Sequence, residues 1–256
     1  MEDYTISTLT SLEELVAIRA YWEREQWHPA ADYAFYTHIL KSRAESLSPY
    51  VLQVSQRGEP VALLAARLED ATLPLRFGYA RLGAIRVRRL VIIGGGFMGM
   101  RTEAVWRRLL EHLSAVLSVE TLDLAVLAEI RLDSFQHTLL LQSFGRSRIC
   151  PAQGTAEHWQ LRLPQTWGDF MAARSKKRRY WLNRLPKVLD RDFPQAWSIV
   201  RYASVDEAPA FAVAAEQVAL ITYHRSLGVG FQDNDETRRR LQLEAERGQV
   251  RGYVLF

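Results

Sequence analysis

The sequence predicts a mixed α/β fold, and three observations carry that prediction. Strand-like and helix-like patterns alternate along nearly the whole chain of 256 residues. The run PYVLQVSQRGEPVALLAARLED reads as two apolar strands joined by a short turn at Arg57, Gly58 and Glu59, the pattern of a β-hairpin. Further on, the apolar run RLVII passes through a glycine cluster into an amphipathic helix, and a strand follows that helix.

The elements follow in order. YTIST is a short first strand. Ser11 suits an N-cap for the helix LEELVAIRAYWEREQW, whose Leu12, Leu15, Val16 and Trp22 recur at helical spacing. ADYAFYTHILKSR gives a second helix before the hairpin, and GAIRVRRLVII a further strand. A helix over residues 102–117 follows, then the strand TLDLAVLAEI, the short helix SFQHTLLLQ and the strand AEHWQLRLP. These make one α/β unit ending near Pro164. A second unit starts with TWGDFMAAR and runs into a basic helix. After it come the strand WSIVRYAS, the long helix DEAPAFAVAAEQVALITYHRSLG, a helix around RRRLQLEAERG and the strand-like VRGYVLF.

Composition is that of a globular chain with a sizeable core: 48% hydrophobic and 24% charged. No apolar run reaches the roughly 18–20 residues that span a bilayer. The first residues carry acids where a secretory signal carries positive charge, so the expected location is cytoplasmic. A single cysteine, Cys150, excludes an internal disulfide and any multi-cysteine metal site. His28, His38, His112, His137, His158 and His224 lack ligand spacing, and neither a G-x-S-x-G elbow nor an H-E-x-x-H helix occurs. No metal is expected.

Net charge is only +4, but its distribution is uneven. RSKKRRYWLNRLPKVLDR, from Arg174 to Arg191, holds eight Lys or Arg against the one acid Asp190. A local basic patch of this kind points to an anionic partner. On a helical wheel Met171, Leu182, Leu185 and Leu189 share one side. Lys176, Arg179, Asn183 and Lys187 share the other, with Tyr180 and Arg184 beside them and Arg178 turned toward the apolar stripe. Pro186 should kink or divide the helix. The patch is either a solvated charged face or a dock for phosphates of a coenzyme, a nucleotide-linked substrate, RNA or a lipid headgroup. Tyr223, His224 and Arg225, ending the long helix, could form a polar cluster, with His224 as general acid or base.

Gly94, Gly96 and Gly99 spell G-x-G-x-x-G between a strand and a helix, the place of a dinucleotide fingerprint. The acid that should hold a ribose is misplaced, because Asp123 lies inside the next strand and Glu129 falls too late. A P-loop fails as well: Met100 and Arg101 stand where Lys and Ser or Thr are required. Gly94, Gly95 and Gly96 therefore read as a bulge or sharp turn, with a generic phosphate loop before a helix as the alternative.

At TWGDFMAARSKKRRYWLNRLPKVL the chain resembles the tandem GNAT-fold acyltransferases of the CelD-like type, annotated with cellulose and exopolysaccharide biosynthesis and related to the FemAB aminoacyltransferases. Ser175, Lys176, Lys177, Arg179, Leu182 and Arg184 fit that family's S-[KR]-K-x-R-x-x-L-x-R pattern. PYVLQVSQRGEPVALLAARL, RLVIIGGG and His224 follow its order. The resemblance implies a GNAT-like unit over residues 1–164 and an incomplete second one over 165–256. It implies an acyl-CoA-dependent acyltransferase that uses acetyl-CoA or another acyl-CoA as donor and an envelope or polysaccharide-related acceptor. Lys176, Lys177, Arg178, Arg179 and Arg184 would bind anionic substrate, and His224 would lie near the active cleft. An R/Q-x-x-G-x-G/A coenzyme A loop is absent from these residues, and the resemblance places the donor-loop region beyond Phe256. The rivals are a FemAB-like transferase dependent on aminoacyl-tRNA and a non-catalytic module that binds anions or RNA.

Overall fold

The computed structural model describes residues 4–77, 80–119, 122–127, 130–145, 148–150, 157, 159, 161–226 and 230–256, apart from the side chains of Arg76, Ala80, Arg81, His224 and Ser226. The chain divides into two compact units, Met1–Gln153 and Gly154–Phe256, upstream of the Pro164 boundary read from the sequence.

The first unit is a mixed α/β layer structure. Strand β1 (Tyr4–Leu9) ends at Ser11, which caps helix α1 (Leu12–Ala17). The Ser11 hydroxyl accepts from the Glu14 N–H at 3.2 Å, and the Glu14 carboxylate accepts from the N–H groups of Thr10 and Ser11 at 2.7 and 3.0 Å. This reciprocal box satisfies donors that a helix start leaves open. The expected single helix is broken at Ile18, and α2 (Arg19–Glu25) continues beyond it. A 3₁₀ turn at Pro29–Ala31 leads to α3 (Tyr33–Ser42), capped by Asp32.

The hairpin forms as expected. Strand β2 (Leu47–Gln56) turns through Arg57 and Gly58, both at positive φ (54° and 86°), into β3 (Glu59–Phe77). Two consecutive positive φ values match the right-handed twist of the flanking strands. Both β3 and β4 (Ala80–Gly99) run longer than the sequence pattern suggested. Helix α4 (Glu103–Val119) then crosses to β5 (Leu124–Leu127), and α5 (Phe135–Phe144) follows. The sheet order is β1-β2-β3-β4-β5, antiparallel except for the parallel β4–β5 pair. Asp123 is a fastener, not a ribose ligand: its carboxylate accepts from the Arg88 N–H at 2.7 Å, and its own N–H donates to the Arg88 carbonyl.

Strand alternation sends side chains to two cores. Tyr50, Leu52, Val54, Leu64, Leu90 and Ile92 pack under Val105, Leu109, Leu113 and Val116 of α4. On the opposite face Val51, Leu63, Ala65, Ile93 and Met98 meet Leu15, Trp22, Tyr33, Tyr36 and Leu40 of α1, α2 and α3. Each fully buried Leu or Val stabilises by roughly 1.5–3 kcal/mol, so both faces of the sheet are firmly held.

The second unit is smaller in every respect. Helix α6 (Trp167–Ala172), capped by Thr166, is separated at Ser175 from α7 (Lys176–Asp192). Strand β6 (Ile199–Tyr202) precedes α8 (Ala208–Leu220), α9 (Tyr223–Ser226) and α10 (Asp235–Glu246), and β7 (Gly252–Leu255) pairs antiparallel with β6. The core is Ala208, Ala212, Leu241, Ala245 and Val250. Three expectations are corrected here. Helix α7 runs undivided through Pro186. The long helix after β6 is interrupted at Ile221 and Thr222. No strand forms at residues 161–164, where Leu161 and Leu163 are exposed: alternation is present, but among the described residues no neighbouring strand pairs with it.

Candidate functional site

Strand β4 outruns the described residues of its neighbour. Among the described residues it pairs with β5 at Arg89, Leu90, Val91 and Ile92. From Ile93 to Gly99 it continues against β3, and among the described residues no strand pairs with its other edge. Such an edge holds backbone N–H and C=O groups that a ligand can use.

The divergence begins at a wide bulge. Ala66 opposes Ile92 and Leu64 opposes Phe97, so Ala65 alone faces four residues, Ile93, Gly94, Gly95 and Gly96. Glycine is needed there for space. A Cβ on Gly96 would stand 2.5 Å from the Ala65 carbonyl oxygen and 2.9 Å from that of Ile93. Gly95, at φ +69°, lies against the His28 side chain, and Gly99, at φ +82°, against the Tyr21 hydroxyl. Gly94, Gly95 and Gly96 thus lie inside a strand, and the loop before α4 is Met100, Arg101 and Thr102. Burial pushes the Tyr21 phenol up to about 12, with the Glu25 charge adding to the effect.

Aromatic residues surround the end of β4. The Trp27 indole, 56% exposed, donates to the Phe97 carbonyl at 3.0 Å. The Arg101 guanidinium lies 4.8 Å from the Trp27 ring centre, within cation–π range. His28 sits edge-on to Trp27, and its Nδ1 accepts from the Ala30 N–H at 3.2 Å, which leaves Nε2 as an N–H donor. Toward α4, Phe97 packs on Trp106 with ring centres 4.5 Å apart, and Trp106 meets Phe135 edge-on. Trp106 is buried and its Nε1 has no hydrogen-bond partner among the described residues. Leu127, the last described residue of β5, belongs to the same cluster. Thr102 accepts the first backbone bond of α4, from Trp106, and Arg101 stands just before it.

Sequence reasoning missed Trp27, His28, Arg101 and Trp106. The signal available was Arg101 directly after the glycines, which argued only against a P-loop.

The expected basic residues occupy α7. Lys176, Lys177 and Arg178 form its exposed first turn, which contains no acid. Three cations at the positive end of a helix are electrostatically unfavourable until an anion arrives. Arg179 donates to the Arg174 carbonyl at 2.8 Å, so it also fastens the corner between α6 and α7. The Arg184 guanidinium lies 5.3 Å from the Trp181 ring centre and 6.0 Å from that of Tyr180. His224 belongs to α9, but its side chain lies outside the described residues. Beside it Arg225 is committed to an ion pair with Glu216 of α8, and the same carboxylate accepts from the Asp233 N–H. Among the described residues no group of three or more His, Cys, Asp or Glu side chains could hold a metal ion, and no helix is long and apolar enough to cross a membrane. Cys150 is exposed and free.

No family model matches the chain, and no curated protein matches it in sequence. Among solved structures it is similar to a ribosomal-protein-alanine N-acetyltransferase from Brucella melitensis biovar Abortus 2308, at 17% identity and a TM-score of 0.32, over 64% of this chain and all of that one. It is also similar to two aminoglycoside acetyltransferases from an uncultured soil metagenomic sample. One is 14% identical over 63% of this chain and 99% of that chain, with a TM-score of 0.34. The other, solved with sisomicin, is 13% identical over 63% of this chain and 97% of that chain, with a TM-score of 0.33. Scores of this size carry no conclusion about activity, which has to be argued from the residues themselves.

Proposed function

We propose that the chain is an acyltransferase of the GNAT superfamily that passes an acyl group from coenzyme A to an amine or hydroxyl of an envelope or polysaccharide-related acceptor. The observation that carries this reading is the edge of β4 beyond Ile92, which no strand pairs among the described residues. It offers backbone N–H groups, beside the packed rings of Phe97 and Trp106, for an oxygen that gains charge as a thioester is attacked. The bulge at Gly94, Gly95 and Gly96 shapes that edge, and in this reading the glycines serve it by their lack of side chains. Coenzyme A fits the chemistry of the surroundings: Arg101 and the opening turn of α4 suit phosphate, and the aromatic rings suit an apolar tether. When bound, it supplies an activated acyl carbonyl.

The acceptor attacks that carbonyl while a base takes its proton. On the family resemblance alone, we assign a general acid or base role to His224 of the second unit. Lys176, Lys177, Arg178 and Arg184 would hold an anionic part of the substrate, with Arg179 bracing the corner beside them. That uncompensated first turn of α7 also suits a tRNA, as a FemAB-like transferase or a plain RNA-binding module would require.

Calorimetric titration with acetyl-CoA at low and high salt tests the reading. The chain should bind acetyl-CoA, and Arg101→Ala should weaken binding about tenfold, the worth of a charge-assisted contact. Absence of acetyl-CoA binding, together with salt-sensitive tRNA binding, would favour the aminoacyl-tRNA-dependent transferase.

A further inference from the structure

Helix α7 carries two chemically opposite faces, and the anion-binding reading uses only one of them. At helical spacing Trp181, Leu182, Leu185, Val188 and Leu189 fall within one arc. Lys176, Lys177, Arg184, Lys187 and Arg191 fall within the adjoining arc, while Arg178 and Asp192, at the two ends of the helix, lie among the apolar residues. No residue of α7 is buried: Trp181 is 44% exposed and Leu185 52%, while Leu182, Val188 and Leu189 are half-buried. An apolar strip therefore meets solvent beside a strongly basic one. The segment from Arg174 to Arg191 carries a net charge of +7, from eight cations and one acid.

We infer that α7 docks on an anionic lipid surface, with Trp181 and Leu185 entering the headgroup boundary and its cations meeting phosphate. A basic polar face bordering Trp and Leu is the pattern of helices that lie in a membrane interface. The Arg184 guanidinium over Trp181 suits that depth, because its stem and the indole are apolar while its charge stays at headgroup level. RNA would meet the cations and stack a base on Trp181 but leave Leu185 in water. A second copy of the chain would cover the apolar strip but bring two strongly positive segments together. The inference rests on the reading of α7 as an anion-binding surface and is independent of acyl transfer.

The test is co-sedimentation of the full chain with vesicles of phosphatidylcholine alone, and of phosphatidylcholine mixed with an equal amount of phosphatidylglycerol. The chain should sediment with the mixed vesicles and not with phosphatidylcholine alone. Replacing Trp181→Ser and Leu185→Ser together should weaken binding by at least about tenfold, because both apolar contacts are lost. Lys187→Gln should weaken it several-fold at low salt and less at high salt. Leu185→Asn alone, at an exposed position, keeps the test open should the double variant lose its helix. No binding to either vesicle, or equal binding by Leu185→Asn and the parent chain, would overturn the inference. So would binding of tRNA that Leu185→Ser does not affect while vesicles are ignored. Acetyl-CoA titration of the same preparation reads the acyl-transfer site separately, so failure at α7 is not failure at β4.

Discussion

One strand-to-helix motif recurs in both units, and what is built on it differs greatly. In the first, β1 leads through Thr10 and Ser11 to Glu14, then helices, then an antiparallel strand beside β1. In the second, β6 leads through Ala203 and Ser204 to Glu207, then helices, then an antiparallel strand beside β6. The sequences TSLEEL and ASVDEA match position by position in character. The Glu207 carboxylate accepts from the N–H groups of Ala203 and Ser204 at 2.8 and 3.0 Å, as Glu14 does from Thr10 and Ser11. From this shared motif the first unit builds five strands covered on both faces. Among the described residues the second has two strands, a core rich in alanine, and exposed Ile199, Tyr253 and Leu255. A local motif thus fixes how a helix leaves a strand. The number of paired strands decides how much apolar surface can be buried, and a two-stranded ribbon buries little.

The comparison breaks most visibly in the cores. Trp22 is fully buried and donates to the Ala31 carbonyl at 2.7 Å, so Trp22→Ala should cost the first unit about 3–5 kcal/mol. In the second unit Phe211→Ala removes a half-buried ring and should cost clearly less. Scanning calorimetry of both variants reads the difference, and equal losses would erase the contrast between the cores.

Glycines sharpen it next. A Cβ at Gly96 meets the Ala65 carbonyl, whereas a Cβ at Gly252 meets the half-buried Phe211 ring. Backbone cannot move aside as a ring can. Gly96→Ala should therefore cost about 1–3 kcal/mol and abolish acetyl-CoA binding, while Gly252→Ala costs less and leaves that binding intact. Urea unfolding and calorimetric titration check both halves.

The shared cap gives a smaller effect. Ser11→Ala removes the bond to the Glu14 N–H and should cost about 1 kcal/mol in urea unfolding. The smallest effect is in pH. Backbone donation by Thr10, then Ser11, holds the Glu14 carboxyl below its ordinary range, and Ala203, then Ser204, do the same for Glu207. A lowered folded-state pKa stabilises above the ordinary carboxylate value and is lost as pH falls through the lowered one. Both caps should weaken together on acidification, and carboxylate NMR titration would show Glu14 and Glu207 moving in parallel.

Much of this fold was legible because it is locally encoded. Arg57 and Gly58 marked the hairpin, Ser11 marked a helix start, and glycines inside an apolar run marked a bulge. Helix periodicity continues through Ile18 and through Ile221 and Thr222, so neither break could be read from a wheel. Extension of β3 to Phe77 and of β4 to Gly99 depends on each strand having the other as partner, which no single segment states. The site at the β4 edge was illegible for the same reason. Trp27 and Phe97 are far apart in sequence, and only the tertiary fold puts an indole on the strand carbonyl.

Amide hydrogen exchange with and without acetyl-CoA tests the central claim most directly. If the edge of β4 beyond Ile92 receives the donor, added acetyl-CoA should slow exchange at residues 93–99 and in the first turn of α4, with little change in α7. Unchanged exchange along β4, with protection confined to α7, would contradict the account.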